Sequence, residues 1–172
     1  MTVALFDDQT EFVDGLRAAI AQGNQSILGV ASPAVGKTAI AAHIIKAARA
    51  KSPAASAGFL VHRKNLLRQT SQSFWQKGIE HGLLTSGRVR SLVPVQVGTI
   101  GTVYSRLANL RPPSIMFVDE AHLARGNMFE TVIKWALSHG SRVIGLTGTP
   151  ERLDGKPLGE LFEVIVLAKS TA

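Results

Sequence analysis

The chain has 172 residues, of which 45% are apolar, and it contains no cysteine. This length suits one compact domain and is short for two, and the lack of cysteine excludes disulfides, thiolate metal ligands and cysteine nucleophiles. No apolar run approaches the length that crosses a bilayer, and the start of the chain is acidic where a secretory signal carries lysines. We therefore expect a single cytoplasmic domain, monomeric in isolation, with no membrane partner.

Basic residues are concentrated in one part of the chain. Residues 15–118 hold thirteen Lys or Arg against a single acid, Glu80, and so carry a net +12 in a chain whose total is +7. The two flanking stretches are net acidic. Such asymmetry indicates a polyanionic partner, although a basic surface that only aids solubility would give the same count.

The first half of the chain alternates helical and strand patterns. Phe12, Leu16 and Ala19 fall on one helical face, and Gly23 offers a stop for that helix. Residues 79–92 lack a clear period and are predicted to form a loop. In chain order, the other predicted elements are a helix at 9–22, a strand at 26–30, a helix at 37–51, a strand at 58–61 and a helix at 63–77.

The second half continues the alternation, which predicts an α/β fold with a mostly parallel sheet covered by helices on both faces. Pro112 and Pro113 break the chain before a strand. Trp75 and Trp135 lie in apolar helical patterns, so we predict core packing for both rather than stacking on bases. The predicted elements are a strand at 93–97, a helix at 102–110, a strand at 114–118, a helix at 129–137 and strands at 142–146 and 163–167.

A glycine-containing turn follows the first predicted strand and opens a helix, which is the context that a phosphate-binding loop needs. Backbone N–H groups of such a turn point at phosphates, Lys37 would supply a positive charge, and the Thr38 hydroxyl would ligate Mg²⁺. Gly36 lets the backbone approach the phosphates closely. The alternative is an alanine-rich helix with an incidental lysine. The predicted nucleotide-binding residues of this turn are Ser32, Pro33, Ala34, Val35, Gly36, Lys37 and Thr38.

Two acids follow the apolar strand predicted at 114–118. Ligands of α/β sheets bind at the carboxyl ends of the strands. Asp119 is therefore a candidate Mg²⁺ ligand, and Glu120 is a candidate base for the water that attacks a terminal phosphate. The alternative is a strand that ends in an ordinary polar turn.

Together these motifs resemble superfamily two helicases of the DEAH-box group, including the translocase subunits of restriction enzymes. The resemblance covers almost the whole chain. In the family's terms, motif I is 31–38, motif Ia is 59–69, a backbone-contacting motif is 97–103, motif II is Asp119-Glu120-Ala121-His122, and motif III with its trailing sequence is 145–155.

The resemblance implies roles that composition and spacing alone do not reveal. It implies an N-terminal RecA-like motor domain that binds ATP and Mg²⁺, with Lys37, Asp119, Glu120 and His122 as the catalytic residues. It places Gln9 where the family has its adenine-reading glutamine. It makes Thr147 and Thr149 partners of His122 in coupling the nucleotide state to the polynucleotide. It assigns phosphate contacts of the polynucleotide to four residues, which are Arg63, Lys64, Thr99 and Thr102.

Four residues depart from the family's usual pattern. Ala34 replaces a glycine common in motif I, and Gly148 replaces the alanine common in motif III. Gly101 stands where a glutamine is frequent, and Phe6 stands where an arginine is often found.

The resemblance implies an ATP-dependent helicase or translocase, and it favours DNA over RNA as the partner. Because the family hydrolyses ATP between two RecA-like domains, and this chain provides for one, we expect the chain by itself to be nearly inactive. Two alternatives stay open: a P-loop ATPase of non-helicase type, and a nucleic-acid-binding module that uses nucleotide as a switch without turnover.

Overall fold

The computed structural model describes residues 5–87, 91–123, 127–149 and 160–169. Within them, seven parallel strands form one sheet in the order β3-β4-β2-β5-β6-β1-β7. The strands are β1 (Ser26–Val30), β2 (Ala57–Val61), β3 (Gly82–Leu84), β4 (Val95–Thr99), β5 (Ile115–Asp119), β6 (Arg142–Thr147) and β7 (Val164–Leu167). The helices are α1 (Asp7–Ala21), α2 (Lys37–Lys51), α3 (Lys64–Gln76), α4 (Ile100–Arg106) and α5 (Asn127–Ser138), with 3-10 turns at Pro33–Val35, Leu107–Asn109 and Ala121–Leu123. The predicted α/β class is confirmed.

The sheet separates two apolar layers, because side chains alternate between the faces of a strand. In β5, Phe117 belongs to the layer beneath α1, α2 and α3, whereas Met116 and Val118 belong to the layer beneath α4 and α5. Strands covered on both faces are nearly continuous in apolar residues, which is the pattern that the sequence shows. In the part of the chain that the structure describes, no helix is both long and apolar enough to cross a bilayer.

Two elements of the sheet differ from the prediction. β4 begins and ends two residues later than expected, at Val95–Thr99, and leaves Pro94 outside because proline lacks the N–H that a central strand donates. The segment predicted as a loop contains β3, which pairs with β4. Three residues are too few to show an alternating pattern, so no periodicity marks this edge strand in the sequence.

The prediction for Trp75 was wrong, whereas Trp135 is partly buried and packs on the layer beneath α5. The face of α3 that meets the sheet carries Leu67, Thr70 and Phe74. Trp75 is one residue further on, about 100° around the helix, and it is 58% exposed. The helical spacing therefore assigned this tryptophan to a face that the tertiary packing does not cover.

Candidate functional site

The turn after β1 has the backbone that close contact with phosphates requires. Gly36 ends the 3-10 turn in the left-handed region, at φ 73°, and α2 begins at the next residue. A Cβ at Gly36 would approach the Gln9 amide nitrogen to 3.2 Å. The exposed residues of the turn, Ser32, Pro33 and Ala34, precede it, and Val35 is buried beneath. The turn is therefore open on its outer side and anchored on its inner side.

Gln9 anchors this turn to α1. Its side-chain nitrogen donates to the Val35 carbonyl at 2.7 Å, and its side-chain oxygen accepts from the Phe6 N–H at 3.0 Å. Gln9 itself is buried. Each end of the amide keeps one further hydrogen-bonding position, a second N–H and a second oxygen lone pair, so these bonds leave the side chain the capacity to bind an adenine. The adenine-reading role of Gln9 stays a prediction.

Lys37 and Glu120 join the turn to the acidic strand end. The Lys37 ammonium donates to Glu120 Oε1 at 2.7 Å, and the two side chains are 8% and 27% exposed. Glu120 has φ 52°, a left-handed conformation that costs a residue with a side chain about 1–3 kcal/mol. Such strain is retained where the surrounding structure fixes a residue in place, and it is frequent at functional sites.

His122 and Thr147 extend this network to β6. Thr147 Oγ1 donates to the Thr149 carbonyl at 2.7 Å and accepts from the Thr149 N–H at 3.1 Å. Since the hydroxyl proton is already donated, His122 Nδ1 is the donor to Thr147 Oγ1 at 2.8 Å, and it also lies 3.1 Å from Glu120 Oε2. The structure thus brings together the predicted catalytic residues Lys37, Glu120 and His122 with the predicted coupling residues.

The strand order separates the turn from the two acids. The turn follows β1 and the acids end or follow β5, and β6 lies between these two strands. The Lys37 side chain spans the end of β6 to reach Glu120. This order puts Thr147, the last residue of β6, in the middle of the site.

Asp119 is the residue best suited to hold a metal ion. Its Oδ1 is buried and has no hydrogen-bond partner among the described residues. Burial, and next the negative charge of Glu120, raise the pKa of the Asp119 carboxyl. A buried acceptor whose charge is poorly compensated fits a divalent cation, and magnesium sites in phosphate-binding proteins use one or two carboxylates together with substrate phosphates. Thr38, half-buried in the first turn of α2, is the other predicted ligand.

The four predicted polynucleotide-contacting residues gather at one stretch of the same sheet edge. β2 and β4 are neighbours, with Val61 opposite Thr99. Arg63 is the extended residue before α3, so the helix begins one residue later than predicted. Both Arg63 and Lys64 are exposed. Thr99 is buried and donates to Thr102 Oγ1 at 2.9 Å.

His62 is a residue of the site that the sequence analysis missed. Leu60 pairs with Val118, so His62 follows β2 at the level where Glu120 follows β5. Its Nδ1 is buried without a hydrogen-bond partner among the described residues, and burial, then the charge of Arg63, lower the pKa of the imidazole. The signal was present in the sequence, because a polar side chain directly after a buried strand marks the ligand-binding edge of a parallel sheet.

The chain matches a family model described as "Type III restriction enzyme, res subunit" over residues 2–152. It is also 27% identical over 138 residues to a 51.5 kDa protein of Lactococcus phage (isolate 7-9), covering 80% of this chain and 27% of the phage protein. The chain therefore spans about a quarter of the length of that relative.

Solved structures share the fold at low sequence identity. The Type ISP restriction-modification enzyme LlaGI in complex with a DNA substrate mimic superimposes with a TM-score of 0.72 at 16% identity, over 94% of this chain and 19% of that one. The helicase domain of Pyrococcus furiosus Hef gives 0.73 at 22% identity, over 93% and 39%. A DEAD box protein of Methanococcus jannaschii gives 0.73 at 16% identity, over 96% and 50%.

These likenesses establish a RecA-like fold, consistent with the parallel sheet described above. The trailing part of the predicted motif III, from Pro150 to Gly155, lies outside the described residues. The family model covers most of the chain and includes both the turn after β1 and the acidic end of β5. The chain therefore belongs to the family of the type III restriction enzyme res subunit.

Proposed function

We propose that this chain is the first motor domain of an ATP-dependent helicase or translocase that acts on DNA. The observation that carries the proposal is the 2.7 Å ion pair between Lys37 and Glu120. It joins a turn with phosphate-binding geometry to the candidate catalytic acid, although the two lie 83 residues apart in sequence. A purely structural ion pair would not require Glu120 in a left-handed conformation, or an acceptor on the adjoining Asp119 that has no partner within the described part of the chain.

The residues present fit a magnesium nucleotide. Backbone N–H groups between Ser32 and Thr38 would bind the phosphates, and Thr38 and Asp119 would hold the ion, which neutralises charge on the phosphates when bound. Phosphates beside Lys37 compete with Glu120 for its ammonium group. Glu120 is then free to accept a proton from the attacking water.

His122 and Thr147 provide a route from this chemistry to movement. His122 Nδ1 donates its one proton to Thr147 Oγ1, which donates in turn to the Thr149 carbonyl, and the same nitrogen lies 3.1 Å from Glu120 Oε2. A shift of Glu120 away from Lys37 would change its contact with His122, and through His122 it would reach the segment after β6. This arrangement favours a motor over a P-loop ATPase of non-helicase type.

Completion of the site by a second RecA-like domain is part of the proposal. Arginines supplied from a second domain or protein accelerate phosphoryl transfer by roughly 10³ to 10⁵. The 172-residue chain alone should therefore bind nucleotide weakly and turn it over very slowly. Turnover at ordinary helicase rates by the chain alone, stimulated by nucleic acid, would contradict this.

DNA as the partner is supported by the basic stretch and by the structural neighbours. Arg63, Lys64, Thr99 and Thr102 lie together at the sheet edge, and all four belong to the stretch 15–118, which contains thirteen Lys or Arg and a single acid, Glu80. LlaGI was solved with a DNA substrate mimic, and the Type ISP enzyme LlaBIII was solved bound to DNA. Basic and hydroxyl side chains of this kind contact the phosphates of a polynucleotide, so we expect little preference for particular bases.

The test is DNA-stimulated ATP hydrolysis by the complete motor that carries this chain. Glu120→Gln should lower kcat by roughly 10² to 10⁴, because the general base is lost, and it should leave ATP binding intact. The matched control is Glu80→Gln, which alters an exposed acid away from the site. Unchanged turnover in Glu120→Gln would favour a nucleotide-switched module without catalysis by this residue.

A further inference from the structure

Trp75 is held on the surface by an ordered support. Its ring centroid lies 4.8 Å from that of His81, at an interplanar angle of 45°. His81 Nδ1 lies 2.8 Å from the Ile79 carbonyl, which can only accept, so this nitrogen donates, and Nε2 pairs with Ser71 Oγ at 2.7 Å. The His81 ring also packs edge-on against Phe74, with centroids 5.6 Å apart. The exposed indole therefore rests on an imidazole that is fixed at both nitrogens.

Trp75 ends a line of exposed side chains along α3. Lys64, Arg68, Gln72 and Trp75 are spaced by four, four and three residues, which places them on one helical face, and all four are exposed. We name these four residues the α3 ridge. The helix contains no acidic residue. Among the residues that the structure describes, no acid forms an ion pair with Lys64 or Arg68. The α3 ridge is thus a positive track that ends in an aromatic platform.

We infer that the α3 ridge binds a single-stranded segment of the polynucleotide as it leaves the edge of the sheet. This inference rests on the proposed function and extends it, because the ridge begins at Lys64, beside the phosphate contacts proposed at Arg63. Lys64 and Arg68 contact successive phosphates, and a base stacks on Trp75. Cationic tracks with exposed aromatic side chains are the common design of single-strand binding surfaces.

The length and the chemistry of the α3 ridge favour a single-stranded polynucleotide as its partner. Lys64 and Trp75 are eleven residues apart, which is about 16 Å along a helix. This distance matches about five nucleotides at the roughly 3.4 Å rise of a stacked strand. A duplex hides the faces of its bases, so stacking on Trp75 requires an unpaired strand. An acidic protein segment would satisfy the two cations but would gain nothing specific from a flat aromatic platform.

The chain contains only two tryptophans, which gives a direct optical test. In the variant Trp135→Phe, Trp75 is the sole indole reporter. At low salt, a single-stranded thymidine 12-mer should quench its fluorescence, whereas a 12-base-pair duplex, whose bases are already stacked on one another, should not. Quenching by neither oligonucleotide, when both bind, would overturn the inference and leave the proposed function standing. Failure of both to bind would count against the proposed function itself.

Affinity measurements on the otherwise unchanged chain keep the test valid if Trp135→Phe is poorly folded. Trp75→Ala should weaken binding of the single-stranded 12-mer by roughly 5- to 100-fold, the effect of losing one stacked base, and should leave binding of the duplex unchanged. Trp75→Phe should restore most of the loss. The matched control is Phe6→Ala, which removes an exposed aromatic side chain that precedes α1. Equal effects on the single strand and the duplex, or an effect only on self-association of the chain, would contradict binding of a strand along the ridge.

Discussion

The nucleotide site and the α3 ridge hold their positive charges in opposite ways. Lys37 is 8% exposed and bonded to Glu120, which in turn contacts His122. Lys64 and Arg68 are exposed and have no ion pair among the described residues. The first site is a closed network that must be rearranged before a ligand is bound. The second is an open surface that changes little on binding.

This difference sets how each region should respond to mutation. Buried and mutually bonded groups are coupled, so removing one leaves its partners unsatisfied and its effect is large. Exposed charges act nearly independently, and salt screens them. Substitutions at the nucleotide site should therefore have large, pH-dependent effects on binding and stability. Substitutions near the α3 ridge should have small, additive and salt-dependent effects on binding.

Among the effects on binding and stability, the largest is expected from Lys37→Ala. It removes a charge-assisted hydrogen bond to phosphate and strands Glu120, so affinity for magnesium ATP should fall roughly 10- to 100-fold. Calorimetric titration of the chain measures this directly. Lys51→Ala, at the exposed end of the same helix, is the control and should bind like the original chain. Equal affinities in the two variants would show that Lys37 does not contact the nucleotide.

The next effect tests whether the nucleotide site depends on the packing beneath it. A Cβ at Gly145, in β6, would lie 2.5 Å from Phe162 Cζ and 3.2 Å from Ala121 Cβ. Gly145→Ala should destabilise the fold by about 1–3 kcal/mol through overpacking and weaken nucleotide binding, because Ala121 adjoins Glu120.

Gly148→Ala provides the comparison, since the closest atoms to its Cβ are 3.9 Å away and alanine is the family's usual residue. Thermal unfolding should show a shift for Gly145→Ala and almost none for Gly148→Ala. Equal shifts of the melting temperature in the two variants would mean that β6 can move to accommodate the added methyl group of Gly145→Ala.

A pH-dependent effect is expected at Asp119, whose pKa burial and the Glu120 charge raise above the usual 3.8. The folded chain then holds this proton more tightly than the unfolded chain. The contribution of this proton to the free energy of unfolding is fully present below pH 3.8, and it is lost as the pH rises through the raised pKa of Asp119. The melting temperature of Asp119→Asn should therefore rise relative to that of the original chain as the pH increases through this window. Magnesium should stabilise the original chain and not the variant. A melting difference that is constant with pH would contradict the burial of an ionising Asp119.

The smallest effects are expected at the exposed residues Arg63 and Lys64, which we propose contact the polynucleotide. Arg63→Ala and Lys64→Ala should each lower the slope of log affinity against log salt by roughly one, and the double variant by roughly two. Each single change should weaken oligonucleotide binding only several-fold. Lys51→Ala should leave the slope unchanged. If the double variant lost far more binding free energy than the two single variants together, these residues would form a coupled network like that around Lys37. The contrast between the two regions would then disappear.

Local sequence patterns predicted much of the fold and the core of the site. β1 and α2 have the predicted bounds, because a buried apolar run and an alanine-rich helical repeat are each complete within their own segment. Lys37, Glu120 and His122 were predicted as one site and lie together. Strands that are parallel must place their carboxyl ends at one edge, so the polar residues after each strand had to share that edge.

Other features could not be predicted from local patterns. The position of β6 between β1 and β5 depends on which strands pair, and pairing joins residues more than a hundred positions apart. The exposure of Trp75 depends on how far the sheet extends beneath α3, and the partnerless Nδ1 of His62 depends on what packs around it.

The sequence by itself determined the α/β class, the glycine-containing turn after β1 and the acids after β5, since each is encoded in a short run of neighbouring residues. Only the tertiary structure decided that β6, which ends at Thr147, lies between β1 and β5, that Gln9 is bonded to the turn, and that Trp75 faces outward. These outcomes depend on long-range packing, in which the strand order and the area covered by each helix fix which polar groups meet and which stay exposed.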